Sequence, residues 1–226
     1  MKVKASLHIH TAEDVLEGRH IFYNIYQLID AAKKLDFKIL ALTGHEHFIY
    51  RSEYGAYAKK NGILLIPGIE LTVISKSHKK NHVVVLNCGP DIESIKTFPD
   101  LENYKRNHLD IFIIAPHPNF HLGVSLGLKN LEKYIELFDA IEHSWFYTKW
   151  FNLNIAVAKI AQKYHRPLVA TSDLHQLAYL DRDYALIESA DLDIKNVLSA
   201  LSQNNFVNVT KAKTWRELLP DSLNLL

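Results

Sequence analysis

Near its start the chain reads VKASLHIH (Val3–His10), a run of strand-forming residues that ends in two histidines. Side chains alternate along a strand, so His8 and His10 share one face. One such pair is weak evidence by itself. The same theme recurs, however, in TGHEH (Thr43–His47), GIEL (Gly68–Leu71), NHVVVLN (Asn81–Asn87), APHP (Ala115–Pro118), IEH (Ile141–His143) and SDLH (Ser172–His175). Each segment sets a histidine, an acid or both beside a strand-like run. Imidazole and carboxylate are the usual ligands of zinc, manganese and iron. The set therefore points to a polynuclear metal site and to hydrolysis.

Working outward, short β-branched runs alternate with longer amphipathic ones. The expected strands are Val3–Ile9, Lys38–Leu42, Ile63–Ile69, Val83–Leu86, Ile111–Ala115, Ala140–Ile141 and Leu168–Thr171. The expected helices are Ile25–Leu35, Ser52–Lys60, Ile92–Asn107, Gly127–Leu137, Trp150–Tyr164 and Ile194–Asn204. Ile25, Leu28, Ile29, Ala32 and Leu35 give the first a clear apolar stripe. This alternation implies an α/β fold with a mainly parallel sheet and helices outside. Function in α/β barrels gathers at the C-terminal ends of the strands, which is where most of these segments lie. His82 starts its strand instead. A turn through Ser75–Lys80 would make a hairpin that returns His82 to the neighbourhood of Glu70.

Composition narrows the class further. The chain has 226 residues, 48% of them apolar, which suits one domain spanning 1–226. A net charge of +1 argues against a general nucleic-acid binder. The single cysteine, Cys88, excludes an intrachain disulfide and a cysteine-based zinc site. No apolar run approaches the ~20 residues needed to span a bilayer. A soluble, cytoplasmic protein without a membrane partner is expected.

Each candidate also has a plainer explanation. Glu70 follows an almost wholly apolar strand, and a buried carboxylate is costly unless paired or ligated. No basic residue lies nearby in sequence, which favours metal. Ser172 or Asp173 could cap a helix, a role compatible with ligation because the two use different groups. His117 lies between Pro116 and Pro118, which suits a rigid ligand or an ordinary turn. His20 and His143 could touch a substrate phosphate. Arg19, Arg51 and Arg182 could fork onto its oxygens. His47 and His121 read as loop histidines, and His78, His108 and His165 as surface residues. Lys76, Lys79 and Lys80 read as a solvated hairpin tip. Trp145, Phe146 and Tyr147 could line a pocket or fill the core.

Taken in order, these segments resemble the PHP (polymerase and histidinol phosphatase) family from Leu7 to about Tyr184. The resemblance rests on the HxH opening, T-x-H at Thr43–His45, G-I-E at Gly68–Glu70, a following His82, His117-Pro118 and the closing Ser172–His175. It implies a distorted (β/α)7 barrel with metals at the strand C-terminal ends. His8, His10, Glu70 and Asp173 would hold a first metal. Glu70 would bridge to a second held by His82 and His117. A third would lie on His45, His175 and a first-loop acid, taken as Asp14, with Glu13, Glu17 and His20 as alternatives. The chain departs from the family where Gly44 replaces a common Asp, which would orient the neighbouring ligand.

The implied activity is a metal-dependent phosphoesterase acting on a small phosphate monoester. Two or three divalent ions (zinc, manganese or iron) would activate a bridging water and clamp the phosphoryl oxygens. The expected partner is a small phosphorylated substrate, not a long nucleic acid. One alternative is a nuclease or nucleotide phosphatase of the same family, acting on nucleic-acid ends or nucleoside bisphosphates. Another is a metal-binding module without catalysis.

Overall fold

Nine strands form one continuous sheet in a computed structural model that describes residues 1–120, 123–215 and 217. In chain order they are β1 (Lys2–Ser6), β2 (Phe37–Leu42), β3 (Leu64–Ile74), β4 (Lys80–Leu86), β5 (Phe112–Ala115), β6 (Ala140–His143), β7 (Leu168–Ala170), β8 (Tyr184–Glu188) and β9 (Phe206–Val209). Six helices cover them: α1 (Ile25–Lys34), α2 (Ser52–Lys60), α3 (Phe98–Asn107), α4 (Gly127–Lys133), α5 (Asn154–Lys163) and α6 (Ile194–Ser202). The order β7-β6-β5-β4-β3-β2-β1-β8-β9 curls into a barrel.

Two devices bring the ends of the sheet together. Beyond β1, Ile9 pairs in parallel with Leu174, and the His10 and Leu174 amides donate to Leu174 O and His8 O, each at 3.1 Å. Below that stitch, Asn208 of β9 replaces a strand with its side chain. Its amide nitrogen donates to Leu168 O at 2.7 Å and its oxygen accepts from Ala170 N–H at 2.8 Å.

Period-two alternation divides the core. Ala5, Ile39, Ala41, Ile66, Val84, Ile114, Ala140 and Val169 meet inside the barrel, with Val197 and Leu201 of α6 packed against them. Leu40 and Leu42 face α1 instead, while Ile69, Leu71 and Val73 face the side covered by α3, α4 and α5. One interruption of this alternation matters for function. Leu7 packs inside with Ala5, yet Ile9 packs outside against Leu28 and Ile29. A bend at His8 resets the face, so His8 and His10 turn inward where strict alternation from Ala5 would send them outward.

The α/β barrel expected from sequence is present, with additions, but the sheet is mixed and not mainly parallel: β3-β4, β4-β5, β1-β8 and β8-β9 pair antiparallel. β8 and β9 extend the seven expected strands; YALIE and FVNV are short and lie between polar stretches. The helix expected over Ile92–Asn107 is two pieces, a 3-10 turn at Pro90–Ser94 and then α3. Thr97 restarts it with a reciprocal cap, its side chain taking the Asp100 N–H while Asp100 takes its own, and Pro99 occupies the first turn. α5 starts at Asn154, not at Trp150, because the Thr148 hydroxyl holds the amides of Trp150 and Phe151 in a turn. No helix among the described residues is long and apolar enough to cross a membrane.

Candidate metal centre

Alternation along β3 puts Ile66, Gly68 and Glu70 on the inner face, and alternation along β4 does the same for His82 and Val84. The antiparallel pairing of Thr72 with His82 then sets His82 beside Glu70, as the hairpin requires. Glu70 is the hub. Its Oε1 lies 2.8 Å from His82 Nδ1 and 3.1 Å from His117 Nε2. Its Oε2 lies 3.1 Å from His8 Nε2, 3.3 Å from His10 Nε2 and 3.1 Å from His45 Nε2. Asp173 closes the group from β7, with Oδ1 3.5 Å from His8 Nε2, 3.3 Å from His10 Nε2 and 3.6 Å from His175 Nδ1. His117 and Asp173 both adopt left-handed backbone (φ 60° and 44°), a conformation that costs energy in a non-glycine residue and gathers at functional sites.

A further layer of acids orients the imidazoles from behind. Glu142 is fully buried, and its Oε2 lies 2.9 Å from His8 Nδ1. Asp14 Oδ2 accepts the His45 backbone N–H at 2.8 Å and lies 2.9 and 3.1 Å from Nδ1 of His45 and His10. Its other oxygen accepts the amides of Leu16 and Glu17. Glu17 reaches the opposite side, with Oε2 2.8 Å from His175 Nε2. A Cβ at position 44 would sit 2.7 Å from Ile49 Cδ1, so the acid common in the resembling family would require the Ile49 side chain to shift.

The charges respond to this crowding. Burial alone would lower His8, but Glu70 and Asp173 beside it hold it well above the ordinary imidazole range. Burial and His45 oppose protonation of His10, yet the surrounding carboxylates of Asp14, Asp173 and Glu70 raise it to about 9. His45, also opposed by burial, is raised to about 11 by Glu70 and Asp14. Burial would raise Glu70 and Asp173, but the surrounding imidazoles hold both well below the usual carboxylate range.

This donor set fits divalent cations. Among the described residues, His10 Nε2, His82 Nδ1 and Asp173 Oδ1 are buried without a hydrogen-bond partner despite their short approaches to one another. Donor atoms that crowd together at ~3 Å and leave each other unsatisfied are arranged for something between them. Four overlapping triads bring their donor atoms within 4.8 Å of one another: His8–Glu70–His117, His8–His10–Asp173, His10–Asp14–His45 and His45–Glu70–His82. Nitrogen and oxygen donors without thiolate suit zinc, manganese and iron.

An open cavity leads to these groups. Its lining combines the polar residues Glu17, His45, Glu70, His82, His117, Asp173 and His175 with Phe120, Val124, Ser144, Trp145 and Phe146. The suggested phosphate contacts lie elsewhere. Arg19 and His20 are exposed on a 3-10 turn, and Arg51 is exposed at the start of α2. Arg182 pairs with Glu217 at 2.9 Å. His143 points away from the barrel interior, its ring edge-on to Tyr147. His47 is exposed. His121 lies outside the described residues. Sequence reasoning set the IEH segment aside and so missed Glu142; period two from inward-facing Ala140 would have found it.

The PHP domain profile matches residues 6–207. The chain belongs to the PHP family. That membership makes it a hydrolase of the metal-dependent phosphoesterase class. It is 22% identical over 242 residues to DNA polymerase III subunit alpha of Aquifex aeolicus (strain VF5), a match that covers 88% of this chain but only 20% of that one. Solved PHP-like folds agree. A two-domain protein from Bacteroides vulgatus, containing a predicted PHP-like metal-dependent phosphoesterase, superposes with a TM-score of 0.71 at 16% identity, covering 97% of this chain and 68% of the other. The lesion-specific endonuclease EndoQ of Pyrococcus furiosus gives 0.62 at 16% identity, over 98% and 66%.

Proposed function

We infer that this PHP protein hydrolyses a small phosphate monoester at a cluster of two or three divalent ions. The observation that carries this is Glu70, whose buried carboxylate has five imidazole nitrogens 2.8 to 3.3 Å away. His8, His10, Glu70 and Asp173 would hold the first ion, and Glu70, His82 and His117 the second. For a third, His45 and His175 turn Nε2 towards the cavity. Glu17 is the first-loop acid on that side, whereas Asp14 is occupied with the Nδ1 atoms behind. Glu17 is therefore the better ligand and Asp14 the orienting group. When bound, such ions polarise phosphoryl oxygens and lower the pKa of a coordinated water.

The chain's own residues account for the rest. Glu142 and Asp14 fix the imidazole tautomers through Nδ1, so that Nε2 of His8, His10 and His45 presents its lone pair to the centre. Trp145, Phe146 and Phe120 shield the reacting phosphoryl from water in the cavity. No Lys or Arg among the described residues lines the cavity, so the positive charge that meets the phosphoryl group comes from the metal cluster.

Nucleic-acid ends or nucleotides are the second reading, favoured by the aromatic lining residues of the cavity. A polymerase subunit and an endonuclease among the similar proteins are consistent with it. The test is hydrolysis of histidinol phosphate, a nucleoside bisphosphate and single-stranded DNA by manganese- or zinc-loaded protein. Monoester turnover that disappears in Glu70→Ala is expected. Full activity in a folded Glu70→Ala protein sinks the reading, and preference for the DNA transfers it to the alternative.

A further inference from the structure

The segment after β9 places a lysine behind a residue that lines the cavity. Lys213 is buried, and its Nζ sits 3.7 Å from the centroid of the Trp145 ring and 4.3 Å from that of Tyr179. The approach is fixed from the backbone as well. The Lys213 N–H donates to Tyr147 O at 2.8 Å, and the Tyr147 N–H donates to Trp145 O at 3.1 Å. Trp145 is thus held in a tight turn with an ammonium over its ring. The same residue lines the cavity that the histidines line, beside Phe146, which packs edge-on to Phe120 at 4.4 Å.

An ammonium is costly to bury, and the ring quadrupole offsets part of that cost only if the ring stays under it. The ring is restrained in turn: rotating Trp145 would strip the ammonium of this contact. A rigid indole beside Phe146 and Phe120 is a good surface for a flat group, because planar rings gain from offset or edge-on aromatic contact. The phosphoryl group of an ester held at Glu70 would leave its alcohol portion against this wall.

We propose that Trp145, Phe146 and Phe120 form a leaving-group subsite that selects a flat ring, and that Lys213 is the positioning residue that fixes its central wall. This rests on the phosphoester reading of the adjoining metal centre. It places the determinant of specificity in a segment after β9, outside the strand-end motifs.

The test uses the full chain with Trp150→Phe and Trp215→Phe, which leaves Trp145 as the sole tryptophan. In this background Lys213→Met should shift Trp145 emission and make it more accessible to acrylamide, whether or not metal is present, while Lys213→Arg should preserve both signals. With manganese loaded, Lys213→Met should weaken phenylphosphonate binding about tenfold, as loss of a desolvated cation–π contact and a fixed wall allows. Methylphosphonate, which lacks the ring, should move less than about twofold by the same reasoning. If Lys213→Met does not fold, Trp145→Leu should give the same discrimination between the two phosphonates. Unchanged emission and quenching in folded Lys213→Met, or equal weakening of both phosphonates in either variant, overturns the proposal. Failure of the manganese-loaded parent to bind either phosphonate counts against the phosphoester reading instead, and the Trp145 signals still decide the Lys213 contact.

Discussion

Replacing Glu142 by glutamine should uncouple the metal centre without disturbing the barrel. Glu142 and His8 are both fully buried and meet at 2.9 Å between Oε2 and Nδ1. A carboxylate can only accept, so Nδ1 must carry the proton and Nε2 is left free to bind a cation. A glutamine of the same size can accept or donate, and a donating amide reverses the tautomer and turns N–H towards Glu70 and Asp173. Orienting partners of this kind are worth about 10–100-fold in metal affinity, or about 1.4–2.7 kcal/mol. Glu142→Ala adds a cost, because it leaves a buried Nδ1–H without an acceptor, about 1–3 kcal/mol of folding stability. Manganese or zinc affinity can be measured by competition with a fluorescent chelator, and stability by urea unfolding in excess EDTA. Glu142→Gln should lose affinity with little change in unfolding midpoint, while Glu142→Ala should lose both. Wild-type affinity in a folded Glu142→Gln protein would refute the tautomer argument, since nothing else in the structure assigns Glu142 a role.

Three further outcomes are expected. Glu17→Gln should remove one bound ion, counted by inductively coupled plasma mass spectrometry, whereas Asp14→Asn should loosen His10 and His45 together and weaken more than one; the opposite pattern would return Asp14 to the ligand set. Metal affinity should rise with pH, because His10 and His45 are raised to about 9 and about 11 in the metal-free protein and a cation must displace their protons; each displaced proton contributes roughly tenfold per pH unit below these values, and a flat profile between pH 6 and 9 would contradict it. Asn208→Ala removes two hydrogen bonds that close the barrel beside β7 and should lower stability by about 2 kcal/mol, read by urea unfolding, whereas an unchanged midpoint would show that the stitch at Ile9–Leu174 suffices.

Much of this candidate site was legible because its residues lie in the most local of contexts. Glu70 stands out as an acid after an apolar strand, and His82 could be placed beside it because a hairpin's geometry depends only on the turn at its tip. The α/β alternation was equally local, which is why α1 and α2 matched their sequence patterns closely. What escaped was set by contacts between distant segments. The inward turn of His8 and His10 needs the bend that follows Leu7, and that bend is held by Leu174, far along the chain. β9 joins the sheet through its ladder with β8, but its link to β7 runs through Asn208 standing in for a strand, a role that no pattern of hydrophobicity encodes.

The same distinction explains why the suggested phosphate contacts do not line the cavity. Arg19, Arg51 and Arg182 were suggested by chemistry alone, since a guanidinium matches a phosphate wherever it lies. The structure spends Arg182 on Glu217 and leaves the cavity without a lysine or arginine among its lining residues. This follows once metals are considered. On the proposed reading, a cluster of divalent ions would supply the positive charge a phosphoryl group needs, and a nearby guanidinium would compete with those ions for Glu70 and Asp173. Selectivity then falls to the uncharged lining residues of the cavity. The residues that discriminate substrates should therefore be the aromatic ones, Trp145 above all, whose position depends on a lysine 68 residues later in the sequence.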